Sequence, residues 1–579
     1  MHCFRVWAPN AKTVEVDTTN ERTSMTCEEG GWWSADVSCA GPGTDYGFRV
    51  DGSDPLADPR SPWQPHGVHG LSRLVDHNTF PWTDQHWQSR PLSSAVLYEM
   101  HVGTFTPGGT FTSAIERLGH LVDLGVTHME IMPVSEFPGP RGWGYDGVDL
   151  YAPYHAYGGP DGLKQLVNAC HERGLGVILD VAYNHLGPAG NYLSRFGPYF
   201  TSRHMTPWGE AVNFDGPASD NVRRYIIDNA LMWLRDYHFD GLRLDAVHQI
   251  MDNSATHILE QMTKEVEMLE AALGRHFIVI GESDLNNPRL VWAREIGGYN
   301  LQCQWNEDFH HALHSLLTGE RSGYYVDFGG MGHLAKTLER GYAYDGCYSI
   351  YRQRAHGRPA TGLPGERFLG YLQNHDQVGN RAAGERSSML MNLGRLKVGA
   401  ALVMTAPFVP MLFMGEEWAA STPFQYFASH EDPDLARAVS EGRRKEFGAF
   451  GWKPEEVPDP QDPETFRRSK LNWEELTDEP HASILRWHKQ LIRLRRGSPH
   501  LNDGEIGEVR ACYDEAGRWL RVERRCMTIA CNLADQARCI PLDPQRSVNI
   551  LLTSDPSVSI VNGGVQMPPD SVVILGPTG

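Results

Sequence analysis

Three acidic residues stand in short, well-separated segments: Asp245 in Gly241-Leu-Arg-Leu-Asp245, Glu282 in Gly281-Glu-Ser283, and Asp376 in Gln373-Asn-His-Asp376. A fourth segment, Asp180-Val-Ala-Tyr-Asn-His185, precedes them. Cleaving a glycosidic bond with retention requires two carboxyl groups roughly 5–5.5 Å apart, one nucleophilic and one donating a proton. Asp245 follows Arg243 by two residues, so on a strand the two side chains share a face. A guanidinium beside a carboxylate keeps it ionised, which suits a nucleophile at neutral pH. Glu282 follows the apolar run Phe277-Ile-Val-Ile280. Apolar surroundings and nearby carboxylates raise a carboxyl pKa, which suits an acid/base. Asp376, after Asn374 and His375, is suited to binding sugar hydroxyls as the ring flattens.

Such groups work only if the fold brings them to one rim. Each segment follows an apolar, β-prone run: Val177-Ile-Leu, Phe239-Asp-Gly-Leu, Phe277-Ile-Val-Ile and Phe368-Leu-Gly-Tyr-Leu. Functional residues at the ends of successive strands are the mark of a closed parallel barrel. From about 95 to 497 the pattern repeats as apolar strand, loop and amphipathic helix, with strands starting near Val96, Thr127, Gly176, Phe239, His276, Tyr299, Arg367 and Val409. The loop from Leu186 to Ser219, rich in Gly, Pro and aromatics, reads as a small insertion over the active face. Residues 305–366 and 416–478 are also long for simple crossovers. Residues 1 to 88 show short alternating runs between turn signals, as do those beyond 498. The predicted class is α/β: a (β/α)8 barrel flanked by N-terminal and C-terminal β-sandwich domains, with boundaries 1–88, 89–497 and 498–579. Asp51 to Pro91 reads as a connection draped over the surface.

The chain has 579 residues and a formal charge of −20. That balance argues against nucleic acid or an anionic membrane as partner, since both require a basic face. The run Val398 to Gly415 is apolar, but Pro407 and Pro410 interrupt it, and it reads as a buried helix turning into a central strand. The start, Met1-His-Cys-Phe-Arg-Val-Trp, has no apolar core of a secretory signal. A cytoplasmic protein is expected, and its ten Cys, none in a Cys-x-x-Cys, read as reduced and mostly buried. His310-His311 beside Asp308 lacks a third metal ligand at matching spacing, no loop reads as a calcium site, and Gly329-Gly-Met-Gly332 lacks the strand–turn–helix context of a nucleotide site. No metal and no cofactor are expected.

In order and spacing the four segments resemble the conserved regions of the α-amylase family of glycoside hydrolases, and the resemblance covers essentially the whole chain. It implies Asp245 as nucleophile, Glu282 as general acid/base and Asp376 as transition-state stabiliser. It implies Asp180, Asn184, His185, Arg243, Asn374 and His375 as the shell of the −1 sugar site, with Tyr145 as the aromatic platform beneath that sugar. The opening Phe4-Arg-Val-Trp-Ala-Pro-Asn is similar to the N-terminal sandwich of branching and debranching members.

The chain departs from the common pattern on the leaving-group side. Typical members carry Lys and His three and four residues after the nucleophile; here those positions are His248 and Gln249. Together with Ser283-Asp-Leu-Asn-Asn-Pro-Arg289, Thr206-Pro-Trp-Gly209 and Asp308-Phe-His-His-Ala312, this resembles a subgroup that acts on trehalose-capped maltooligosaccharides. The implied substrate is maltooligosyltrehalose, supplied by a synthase acting upstream. Trehalose is bent at its α,α-1,1 linkage and has no reducing end, so the leaving-group side must be shaped for it. The expected binding residues are His248, Asp308, Phe309, His310, His311, Tyr351, Arg352 and Gln377. A branching or debranching enzyme with the same trio is the nearest alternative, and a non-catalytic glucan-binding protein on this fold is another.

Overall fold

The computed structural model describes residues 1–448 and 452–577. Eight parallel strands close into a barrel: β1 (Leu97–Met100), β2 (His128–Ile131), β3 (Gly176–Val181), β4 (Gly241–Leu244), β5 (Ile278–Gly281), β6 (Cys303–Trp305), β7 (Phe368–Gly370) and β8 (Val409–Phe413). Each pairs with the next, and β8 returns to pair with β1. Every expected strand start falls within four residues of the observed one.

The two-residue period of a strand sorts side chains between the inside and outside of the barrel. Leu97, Ile178, Ile278, Ile280, Leu369 and Met411 fill the interior. Tyr98, Leu179, Leu242, Val279 and Leu412 face the surrounding helices. One further step along the inward face brings polar groups to the C-terminal rim: Glu99 after Leu97, Asp180 after Ile178, Glu282 after Ile280. Gly241 opens the same series on β4, with Arg243 and Asp245 following. A Cβ at Gly241 would lie 2.3 Å from the Ile278 carbonyl oxygen, so only glycine lets β4 and β5 approach this closely.

The apolar run at 398–415 divides into the end of helix Leu393–Thr405 and strand β8. Among the described residues no helix is long and apolar enough to cross a membrane. The N-terminal region pairs a three-stranded sheet (His2–Trp7, Trp32–Val37, Thr26–Cys27) with a four-stranded one (Arg22–Ser24, Val14–Thr18, Asp45–Val50, Ser72–Arg73). After the barrel come a five-stranded and a three-stranded antiparallel sheet built from residues 509–577. The loop after β3 carries a hairpin, Phe200–Thr206 with Gly209–Val212, and the long loop after β6 carries another, Asp345–Ser349 with Arg354–Gly357.

Two expectations are corrected. The connection 51–91 is not simply draped over the surface, because its middle is buried between sandwich and barrel. Asp58 is buried and accepts from Tyr46 Oη at 2.7 Å, while Arg60 reaches Asp228 on a barrel helix at 2.9 Å. The ten thiols are all free, but only Cys170, Cys303 and Cys531 are buried, and six are exposed. Most of the six sit on outward positions of the terminal sheets, where strand alternation presents every second side chain to solvent.

Candidate active site

Arg243 organises the rim. Its guanidinium is fully buried, and NH1 donates to both Asp180 oxygens at 2.8 and 2.7 Å and to Asp245 Oδ1 at 3.0 Å. NH2 donates to Glu282 Oε2 at 2.6 Å. The indole of Trp305, at the end of β6, lies under the guanidinium at 4.1 Å. One arginine thus ties the ends of β3, β4 and β5 together. Asn184 Nδ2 adds bonds to Asp245 Oδ2 at 2.9 Å and to its carbonyl at 2.7 Å.

The backbone beside Asp245 is strained. Ala246 sits in the left-handed region at φ 38°, ψ 52°, a conformation that persists in a non-glycine residue only where its surroundings impose it. The turn aims the Ala246 N–H at Glu282 Oε2, 2.9 Å away. Val247 N–H and the Glu282 carbonyl close the joint at 2.9 Å.

The environments drive the two carboxyls apart. Burial works to raise Asp245, but the Arg243 charge, the Asn184 hydrogen bond and the nearby histidines outweigh it, leaving Asp245 below the ordinary carboxylate range. Burial pushes Glu282 well above its usual range; Arg243 opposes this, while Asp245, Asp376 and Glu307 reinforce it. One group is held ionised and its neighbour protonated, the pairing that acid–base and nucleophilic roles require. Asp376, half-buried, is raised by burial against the pull of His375 and Arg243, and Asn380 donates to its Oδ1 at 2.5 Å.

Over these groups lies a cavity of about 260 Å³ lined by Trp143, Tyr145, His185, Trp208, Asp245 and Glu282. A second, of about 360 Å³, shares Asp376 and Asn380 with it and is walled by Asp284, Glu307, His311, Tyr351, Arg352 and Gln377. Tyr145 Oη bonds Asp180 and His375 at 2.5 and 2.8 Å, and its ring stacks on His375. His185 stacks face to face on Trp208, ring centres 4.1 Å apart. Tyr351 and Arg352 sit at the turn of the 345–357 hairpin. Arg352 NH2 donates to Asp284 Oδ2 at 2.9 Å, and His248 Nε2 lies 3.8 Å from the other Asp284 oxygen. Gln377 accepts from Tyr324 and Tyr325 at 3.3 Å.

Three residues expected at the substrate lie behind the wall instead. Asp308 is buried, and its Oδ2 is occupied by Asn286 Nδ2 and the N–H groups of Ala343 and Tyr344, at 2.7 to 2.8 Å. Phe309 is in the core against Phe408, and His310 bonds the Leu372 carbonyl and Tyr325 Oη. The helix Glu307–Thr318 begins as soon as β6 ends, so its pitch, not a strand's alternation, sorts these side chains. That pitch turns Glu307 and His311, four apart, to the cavity. Asn374 likewise serves the fold: its side chain caps helix His375–Gly379 through Gln377 N–H at 2.7 Å.

Several cleft residues were missed from sequence. Glu307, raised by burial and by Asp284 and Asp376 to about 8, adjoins Asp308, and only the helix register distinguishes them. Asp284 follows Glu282 by two, a spacing that was available. Trp143 and Tyr426 close the cavity as an edge-to-face pair, rings 5.1 Å apart, and nothing local marks Tyr426. No group of three or more His, Cys, Asp or Glu among the described residues is arranged to hold a metal ion.

A closed parallel barrel whose rim joins a low-pKa aspartate and a high-pKa glutamate through one arginine defines a glycoside hydrolase of the α-amylase type. The alpha amylase catalytic-domain family matches residues 75–202, and carbohydrate-binding module 48, the isoamylase N-terminal domain, matches residues 2–64. The malto-oligosyltrehalose trehalohydrolase of Arthrobacter ramosus is 53% identical, with 86% of this chain and 87% of that protein covered. The protein of the same name from Rhizobium sp. (strain M-11) is 47% identical over 99% of this chain and 97% of its own length. A solved Salmonella typhimurium structure assigned as an alpha amylase superposes with a TM-score of 0.91 at 39% identity, covering 99% and 97% of the two chains. The chain belongs to the malto-oligosyltrehalose trehalohydrolase family.

Proposed function

We infer that this enzyme is a retaining glycoside hydrolase that cleaves the α-1,4-glucosidic bond next to the terminal trehalose unit of maltooligosyltrehalose, releasing trehalose and a maltooligosaccharide. The observation that carries the chemistry is the Arg243 guanidinium shared by Asp245 and Glu282 at 3.0 and 2.6 Å. Two carboxyls held by one guanidinium suit the short spacing of double displacement rather than the roughly 6.5–9.5 Å left for a water in inversion. The substrate reading rests on family membership over nearly the full chain.

In this scheme Glu282 enters protonated and gives its proton to the glycosidic oxygen while Asp245 Oδ attacks the anomeric carbon. Trehalose leaves, and the glucan stays esterified to Asp245. Glu282, now a carboxylate, takes a proton from water as that water attacks the same carbon, and Asp245 is released. Asp376 binds hydroxyls of the flattened ring, with His375 and Tyr145 beside it. Trehalose occupies the cavity on the Asp284 side, where Arg352, Tyr351, His248 and His311 supply donors and apolar edges. A site that spends its donors on particular hydroxyls disfavours a ligand that misplaces them. The enzyme acts in the cytoplasm, after a synthase that converts the reducing end of a maltooligosaccharide into trehalose.

The test is product analysis on maltooligosyltrehalose beside a plain maltooligosaccharide of equal length and beside amylose. Trehalose should be the early product from the capped chain, with slow attack on the plain one. New α-1,6 links from amylose would identify a branching enzyme instead.

A further inference from the structure

Beneath the sugar site lie buried charges that the scheme above leaves idle. Glu99 on β1 is wholly buried and grips His375 twice. Its Oε2 accepts the His375 backbone N–H at 2.8 Å, and its Oε1 lies 2.5 Å from the ring Nδ1. The other ring nitrogen, Nε2, lies 2.8 Å from Tyr145 Oη.

The protons can be counted. Tyr145 has one hydroxyl proton, and Asp180 Oδ2 takes it at 2.5 Å, since Asp180 is an acceptor held on both oxygens by Arg243. Arg243 also faces the phenol oxygen at 3.3 Å and can only donate. The Tyr145 oxygen must therefore accept from Nε2–H. A Glu99 carboxylate can only accept, so Nδ1 carries a hydrogen toward it as well, and both ring nitrogens bear hydrogen only in the imidazolium form. We propose that Glu99 is a positioning residue that holds His375 as an imidazolium under the sugar site and, through that charge, keeps the neighbouring carboxylates ionised.

Every group around the ring fits this reading. Glu99 and Glu130 are register partners on β1 and β2, and two such buried carboxylates do not both ionise. Neither Glu130 oxygen has a hydrogen-bond partner among the described residues. Burial and the Glu99 charge push Glu130 well above the carboxylate range, so it is the neutral member. His101, from the segment after β1, is lowered by burial to about 3 and is neutral as well. Arg243 on β4, Asp245 just after it, Asp180 on β3 and Asp376 on the histidine's own segment complete the charged set. The rings of Trp143 and Trp305 close the remaining sides. For His375 itself burial works downward, but Glu99 outweighs it and the ring is raised. In return the His375 charge pulls both Asp245 and Asp376 downward.

The proposal rests on the glycosidase reading only for its effect on rate, and its primary test does not use activity. Nitrogen NMR of 15N-histidine-labelled enzyme at pH 7, with His375 assigned by its loss in His375→Asn, should show both ring nitrogens protonated. They should remain so in Glu130→Gln, with wild-type turnover. In Glu99→Gln the ring should become singly protonated, kcat should fall about tenfold or more with KM changing less, and the acid limb of kcat/KM should move up by about one pH unit. The upward sign follows from Asp245 losing a nearby positive charge. A singly protonated His375 in the wild type overturns the proposal whatever the variants do, and leaves the glycosidase assignment intact. Wild-type kcat and pH profile in a folded Glu99→Gln overturn it equally.

Discussion

Arg243 stands two residues before Asp245 on β4, and its NH1 donates to Asp245 Oδ1 at 3.0 Å from a wholly buried position. The bond costs the fold nothing extra in order, because the same guanidinium is already fixed on Asp180 and Glu282. It holds this carboxylate ionised inside a cavity that would otherwise favour its protonation. Asp245→Ala should therefore lose several orders of magnitude in kcat, because no covalent intermediate can form, while thermal unfolding changes little. Retention of more than about a tenth of wild-type kcat would remove Asp245 from the nucleophile's role.

Glu282→Gln keeps the shape of the side chain and removes its proton. Formation of the glycosyl-enzyme should be severely slowed on substrates with poor leaving groups and far less on glycosyl fluorides, which depart without protonation, while its hydrolysis is slowed for both. Azide should then restore turnover, since an anionic nucleophile needs no base to attack the glycosyl-enzyme. Steady-state rates on both substrate types, with and without azide, check this; equal loss on both and no azide effect would point to another acid.

Arg352 and Asp284 form a pair at 2.9 Å in the wall of the second cavity, the proposed trehalose site. Arg352→Ala should lower kcat/KM on maltooligosyltrehalose about tenfold or more, the worth of one or two charge-assisted hydrogen bonds, and affect plain maltooligosaccharides much less. Adding Asp284→Ala should cost less than the sum of the two single losses, because the residues act together. A proportional fall on both substrates would place Arg352 outside trehalose recognition.

Acid should loosen the cleft wall before the barrel. Glu320, in the turn after helix Glu307–Thr318, bonds His314 at 2.8 Å and Arg381 at 2.9 Å. Burial opposes its ionisation, but these partners prevail and bring it from the ordinary 4.5 to about 2. A depressed carboxyl contributes stability that is complete above its unfolded pKa and lost as pH falls through the folded one. Chemical denaturation of wild type and Glu320→Gln should thus differ most above about pH 4.5 and converge toward about pH 2. A difference that is constant across this range would mean that the contribution is not electrostatic.

The barrel was legible because each strand is a short apolar run and each catalytic segment sits at the end of one. Asp180 and Arg243 lie on strands, and Asp245 and Glu282 one residue past strand ends, where a period of two still settles which way each points. Prediction failed where that period stopped. After β6 the chain turns at once into a helix, so Glu307 and His311 face the cavity while Asp308, Phe309 and His310 turn inward. The buried links of this connection, Asp58 to Tyr46 of the sandwich and Arg60 to Asp228 of the barrel, were equally hidden, since a Pro- and Asp-rich stretch has the composition of a surface loop. Glu99 was readable in principle: a lone carboxylate within Val96-Leu-Tyr-Glu-Met100 has to be paired if it is buried. Its partner, His375, lies on the opposite side of the sequence, and only barrel closure joins them.

The most direct measurement is to trap the intermediate. Glu282→Gln treated with α-maltosyl fluoride should form the glycosyl-enzyme quickly and hydrolyse it slowly, because the good leaving group needs no acid and the water has no base. Peptic digestion and mass spectrometry should then find one maltosyl adduct, on the peptide that contains Asp245, and azide should release it with the α configuration retained. An adduct on any other carboxylate, or no adduct together with an inverted product, would contradict the account.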